Sequence, residues 1–284
     1  MPYAGAMPPT KPTAHQRANG AARLEFAAGP RGTTLARLYQ QSPLRVLFPT
    51  PEPGEPPTGA LVNCAGGLAG GDALATEALL GPGSTATLST PAAEKVYRSL
   101  GPETRVTTLL RLEAGATLEW LPQETILFDQ ARLRRRMDAH LGEGARLLAA
   151  EMLVFGRSAR GETMQGGLVR DAWRLHGPAG LLWADGLALG DDIEARLLAP
   201  LGFGGAEAAA TLLLAAPGAE AHLPALRAAL EGHPAAATVP RPGLLLARFL
   251  GDALAVRDAI AAGIIMLRHA ALGQPAVLPR LWTT

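Results

Sequence analysis

The chain has 284 residues, room for one large domain or two at about 150 residues per domain, and its 48% hydrophobic and 18% charged residues exclude intrinsic disorder for the bulk of it. Its 26 basic residues stand against 25 acidic ones, and a net charge of +1 leaves no electrostatic footprint for nucleic acid or an anionic membrane. The single cysteine, Cys64, can close no intrachain disulfide and build no thiolate metal site, which reads as a cytoplasmic chain.

Residues 1–19 are proline-rich and polar, with no apolar stretch of signal-peptide length, so they read as a disordered leader ahead of a single domain over 20–284. No window holds the roughly 18 apolar residues of a membrane span. Residues 21–26 and 35–40 alternate apolar and polar around Gly29-Pro30-Arg31-Gly32, a strand, turn, strand pattern. Five prolines in residues 49–57 then exclude both helix and central strand. From residue 80 to 182 a strand-like run, a glycine turn and a second strand-like run recur. The turn glycines Gly83, Gly115, Gly144 and Gly180 lie 32, 29 and 36 residues apart. That period suggests stacked hairpins, each covered by its neighbour. In one unit Ala131, Leu133, Met137, Ala139 and Leu141 share a face, with Arg132, Arg134, Arg136, Asp138 and His140 opposite, a solvated sheet face in preference to a phosphate site.

Beyond residue 200 the pattern changes to a buried strand at 211–215, a helix at 223–230, a strand at 244–250 and a helix at 252–272. Asp252 is the expected N-cap, Gly273 the stop, with Pro275 beyond it. Leu254, Ile260, Ile264, Met266 and Leu267 mark the apolar side, while Arg268 and His269 suit the negative end of the dipole. The expectation is a mainly β chain, with β-rich residues 20–200 and an α/β part at 201–284.

Three stretches concentrate chemistry. Residues 65–72 (AGGLAGGD) are the densest in glycine, but they lack the Lys-Ser/Thr ending of a phosphate loop, and Asp72 would repel phosphate. Their glycines Gly66, Gly67, Gly70 and Gly71 read as structural, permitting close backbone approach or positive φ. Residues 90–99 (TPAAEKVYRS) gather Glu94, Lys95, Tyr97, Arg98 and Ser99, a polar binding surface in preference to a lysine nucleophile, which needs a desolvated pocket. Residues 118–129 (LEWLPQETILFD) carry Glu119, Glu124 and Asp129, either edge and turn carboxylates or part of an acid and base pair across strands. The six histidines never fall at ligand spacing, so no stable metal site is readable; carboxylates remain as weak oxygen ligands.

In this order the three stretches resemble the D-type urease accessory proteins, called H-type in some organisms. So do Glu151 to Arg157 (EMLVFGR), Gly161-Glu162, Trp183-Ala184-Asp185, Gly243 to Gly251 (GLLLARFLG) and Pro279-Arg280-Leu281-Trp282. The resemblance runs from about residue 20 to the C-terminus. Glu94 departs from it, standing where the family has a small or hydroxyl residue, and Cys64 with Ala65 lies where members vary. It implies a maturation chaperone and not an enzyme, with β-hairpins layered in a right-handed superhelix and a small helical element near the C-terminus. It also implies binding to apo-urease and to the F-type accessory protein, which recruits the nickel-carrying G-type GTPase, and a water-filled tunnel for nickel. On that basis Asp72, Glu124 and Asp129 are candidate transient Ni²⁺ contacts, and Lys95, Tyr97, Arg98 and Ser99 candidate tunnel wall or partner contacts, with no tightly bound cofactor. The alternative is a β-superhelical hydrolase using Glu124 or Asp129 with a second carboxylate.

Overall fold

The computed structural model describes residues 17–283; the leader expected at 1–19 falls mostly outside them. In chain order the strands are β1 (Asn19–Gly29), β2 (Gly32–Gln41), β3 (Leu44–Leu47), β4 (Thr58–Asn63), β5 (Ala73–Leu80), β6 (Thr85–Ser89), β7 (Glu94–Val96), β8 (Thr104–Leu112) and β9 (Thr117–Leu121). Then follow β10 (Thr125–Leu127), β11 (Arg132–Leu141), β12 (Arg146–Arg157), β13 (Glu162–Thr163), β14 (Leu168–Gly177) and β15 (Gly180–Gly190). Helix α1 (Ile193–Leu198) leads to β16 (Ala208–Ala215), α2 (Leu223–Ala229), β17 (Ala235–Arg241), β18 (Leu244–Gly251) and α3 (Ala253–Leu272). The proline-rich segment before β4 is a loop, as its missing backbone donors require.

Glycine turns fold the chain back at regular intervals. Gly83, Gly115 and Gly144 all adopt φ of 64–67°, a left-handed conformation that favours glycine. Each turn rests on the next, since Gly83 N–H donates to Ala114 O and Gly115 N–H to Glu143 O, both at 2.9 Å. The strands joined by these turns do not pair with each other. β5, β8 and β11 line up in parallel in one sheet, of order β15-β14-β11-β8-β5-β1-β2, whereas β6, β9 and β12 line up in the other, of order β17-β18-β16-β12-β9-β6-β4-β3. The repeat is therefore an arch between two sheets, and the coils stack into a β-solenoid, in agreement with the layered superhelix that the family resemblance implies. Only the fourth turn, at Gly180, makes a true hairpin, β14 with β15, which closes that edge of the first sheet.

Inward residues of the two sheets form the main core. Leu24, Phe26, Leu80 and Leu110 of the first sheet pack with Leu88, Leu118 and Leu147 of the second. The outer face of the second sheet is covered by α3 and α2, where Leu212, Leu214, Leu245 and Phe249 meet Leu226, Ile260, Ile264 and Leu267. Asp252 caps α3 as expected, accepting Leu254 N–H at 3.0 Å and Ala255 N–H at 3.1 Å, and Gly273 ends it at φ 67°. Two expectations for this helix change: Leu254 is 73% exposed, and Arg268 is fully buried instead of solvating the helix end. No helix among the described residues is long and apolar enough to cross a membrane.

Gly263 sets how closely α3 approaches the sheet, because a Cβ there would lie 2.6 Å from Leu212 Cδ2. Gly263→Val is expected to cost about 1–3 kcal/mol through overpacking. An unchanged urea-unfolding midpoint would contradict this account of the contact.

Candidate functional site

The first two glycine and polar stretches meet as neighbouring coils. A Cβ on Gly67 would strike the Tyr97 ring at 2.6 Å, and one on Gly70 would strike Ser99 Oγ at 2.1 Å. Tyr97 Oη donates to Gly66 O at 2.8 Å, and Ser99 Oγ to Pro102 O at 2.6 Å. Gly66, Gly67 and Gly71 have φ of 74°, 151° and 94°; Gly67 answers both to crowding and to backbone conformation, whereas a Cβ on Gly66 would meet nothing within 4 Å and only its left-handed backbone favours glycine. The third stretch lies one coil further on, with Glu94 N–H donating to Glu124 O and Phe128 N–H to Val96 O. Tyr97 just after β7, Phe128 just after β10 and Arg157 at the end of β12 form a column across adjacent strands: the rings meet edge to face at 5.1 Å and the guanidinium lies 4.3 Å above Phe128. Lys95 and Arg98 are exposed.

The carboxylates expected from the sequence to meet an ion have other occupations. Asp72 is buried and accepts Ala18 N–H at 2.8 Å and Ala69 N–H at 2.7 Å, clasping β1's approach to the glycine loop. Glu124 pairs with Arg257 of α3, which stacks on Trp282. Asp129 Oδ1 accepts the N–H groups of Gln165 at 2.8 Å and Gly166 at 3.2 Å. Glu119 is not an edge or turn carboxylate: it is fully buried, accepting Arg268 Nε at 2.7 Å and the Thr87 hydroxyl. Glu162 of β13 is the carboxylate next to Asp129, its Oε1 accepting the Asp129 N–H at 3.3 Å while its carboxylate pairs with Arg157.

The concentration of interior charge lies elsewhere. Arg135 occupies an inward position of β11, between Leu133 and Met137, and is only 7% exposed. Its guanidinium makes a bidentate pair with Asp171 of β14, at 3.0 and 2.6 Å. Glu151 of β12 faces it, with Arg135 Nη2 3.3 Å from Oε2. Trp120 Nε1 donates to Glu151 Oε1 at 3.0 Å, whereas buried Oε2 has no hydrogen bond, because the guanidinium N–H groups are directed at Asp171 and Thr125. Burial pushes the Glu151 carboxyl above its ordinary pKa; the Arg135 charge opposes this and Asp171 reinforces it.

Two cavities meet at this pair. One, of about 250 Å³, is lined by Asp171, Asp185, Thr211 and Arg248 besides Arg135 and Glu151. The other, of about 100 Å³, runs from Arg135 and Glu151 past Thr125 to Thr90, Asn63 and Glu94, and Asn63 Nδ2 donates to both Glu94 oxygens at 3.1 and 3.0 Å. Asp72, Glu124, Asp129, Lys95, Tyr97, Arg98 and Ser99 line neither. Among the described residues no group of three or more His, Cys, Asp or Glu could hold a metal ion. The signal for Arg135 is present in the alternation that places Leu133 and Met137 inside; Glu151 opens the EMLVFGR stretch and shares its inward side with Leu153 and Phe155.

A β-solenoid with glycine-arched coils, a helix-covered second sheet and a charged interior is a scaffold built around an internal polar seam. Residues 18–283 match the family described as UreD urease accessory protein. The chain is 51% identical over 238 residues to the urease accessory protein UreD of Granulibacter bethesdensis, covering 84% of this chain and 99% of that one. It is 47% identical over 275 residues to the UreD of Magnetococcus marinus, covering 94% of each. The chain belongs to the UreD urease accessory protein family, and its role lies in urease maturation.

Proposed function

We propose that this chain is a cytoplasmic maturation chaperone that binds apo-urease and the F-type accessory protein, through which a G-type GTPase supplies nickel, and that the ion passes between its two sheets. The observation that carries this reading is the meeting of two cavities, each opening toward the surface, at the buried Arg135 and Glu151. A divalent ion leaving water needs replacement oxygens, or the desolvation cost closes the route. Glu151 Oε2 is held by its 3.3 Å ion-pair contact with Arg135 and lacks a well-directed hydrogen bond, and Glu94 and Asp185 stand further along the two cavities. Arg135 beside Glu151 opposes tight capture of a cation, and conduction requires binding weak enough to release. Ni²⁺ is cargo in this scheme, and no cofactor is retained.

The test is co-expression with the other urease operon products. Deleting this chain is expected to leave urease subunits assembled but nearly free of nickel. Glu151→Gln is expected to lower nickel per urease active site about tenfold, equivalent to about 1.4 kcal/mol on the transfer step, with pull-down of the F-type protein unchanged. Normal nickel in the deletion strain defeats the chaperone role. Normal nickel with Glu151→Gln, in a strain where deletion abolishes loading, defeats the interior passage alone.

A further inference from the structure

The second sheet is covered by helices, but the outer face of the first is open, and its charges are unevenly arranged. Opposite charges meet on this face: Arg23 lies beside Glu77 in one rung at 2.6 Å, and Arg136 pairs with Asp138 two residues along β11. Another rung differs. Arg105 of β8, Arg134 of β11 and Arg170 of β14 are in register on adjacent parallel strands, and all three are exposed. Among the described residues the ion pairs of this rung are confined to Arg134 with Glu103, at 2.6 and 3.0 Å, and Arg105 and Arg170 are left with no carboxylate at contact distance. Arg132, two residues before Arg134 on the same side of β11, has a buried Nε without a hydrogen-bond partner.

Like charges directly opposite across strands are destabilising, so a rung of three arginines sharing one glutamate carries a standing cost that incoming carboxylates would relieve. We propose that the Arg105–Arg134–Arg170 rung is a docking point for the acidic face of a helix in a partner protein. Neighbouring strands lie about 4.8 Å apart, and carboxylates three or four residues apart on a helix lie about 5–6 Å apart, so the two rows match in spacing. A continuous phosphate backbone fits less well, because Glu77 and Asp138 share this face and the net charge of the chain is only +1. Residues 1–16 contain no Asp or Glu and so cannot supply the helix from within the chain. Identifying the partner as a protein of urease maturation rests on the function proposed above; the chemistry of the docking point does not.

The experiment uses the full chain, its Arg105→Gln/Arg134→Gln/Arg170→Gln variant and the corresponding triple lysine variant. The probe is a labelled alanine-based helical peptide with glutamates at i, i+4 and i+8, followed by fluorescence anisotropy. The wild type is expected to bind it, to lose about tenfold in affinity between about 0.05 M and about 0.5 M salt, and to lose as much with the glutamine variant at low salt, with the lysine variant in between. Thermal unfolding checks that the variants remain folded, as exposed positions permit. Equal peptide binding by wild type and glutamine variant overturns the proposal, as does tighter binding of duplex DNA, or a concentration-dependent dimer that the glutamine variant abolishes. In pull-downs from the co-expressed operon the glutamine variant is expected to lose one partner and keep another, and retention of all overturns the proposal. Peptide binding by a wild-type chain that captures no operon product would instead defeat the maturation reading and leave the docking point standing.

Discussion

Arg268→Ala is expected to destabilise the protein by about 3–5 kcal/mol, the usual consequence of removing one partner from a buried ion pair. Arg268 and Glu119 are both 0% exposed, and the guanidinium also reaches Glu55 in the proline-rich loop and Val277 O in the C-terminal segment. One side chain therefore ties α3 to β9, to the loop before β4 and to the chain end. Without it the Glu119 carboxylate keeps only the Thr87 hydroxyl in a site that water does not reach. The control is the double variant Arg268→Met/Glu119→Leu, which removes both charges and is expected to recover most of the loss, since an apolar replacement of a buried pair is often neutral. Urea unfolding at pH 7 measures both, and limited proteolysis shows whether the C-terminal segment loosens first. If the double variant is no more stable than Arg268→Ala, the penalty comes from lost packing of the long side chain and not from the stranded charge.

Arg268 also shows where a sequence reading stops. Its position follows Ile264 by four and Leu267 by one, on the side of α3 that faces the sheet, yet an arginine near a helix C-terminus is equally explained by the dipole. Only the location of Glu119, 149 residues away, decides between the two. The glycine period fared better because a left-handed turn is a local requirement, legible at Gly83, Gly115 and Gly144 without knowing what surrounds them. Whether such a turn joins neighbours in one sheet or spans two sheets is not local, which is why hairpins were expected and arches found. The candidate carboxylates illustrate the same boundary. Asp72, Glu124 and Asp129 lie within the most distinctive motifs, but a motif can be distinctive because its fold is demanding, and each of these carboxylates holds a backbone amide or an arginine. Arg135 is legible from strand alternation, which places it with Leu133 and Met137 on the inward side against the habit of arginine to be solvated.

Arg135→Met is expected to make stability fall steeply with rising pH, with a loss of about 3–5 kcal/mol at pH 8 that shrinks toward pH 5. In the native protein the Arg135 guanidinium, from β11, is the chief force holding the Glu151 pKa down, against burial and against the Asp171 charge from β14. Removing it leaves two carboxylates facing each other between the sheets, and the Glu151 pKa rises further. A carboxyl whose folded pKa lies above its unfolded value of about 4.3 binds more protons folded than unfolded between those two values, so stability is lost as pH rises through that window, at up to about 1.4 kcal/mol per pH unit. Wild type carries the same sign over a narrower pH window, since Glu151 is already raised but is held down by Arg135. Trp120 Nε1 still donates to one Glu151 oxygen in the variant and limits the rise without cancelling it. Urea unfolding at pH 5, pH 6.5 and pH 8 distinguishes this from simple loss of packing, which would displace the profile by a constant. Adding Glu151→Gln to Arg135→Met removes the titrating group and is expected to flatten the profile; parallel curves for the single and double variants would show that Glu151 does not titrate against Arg135.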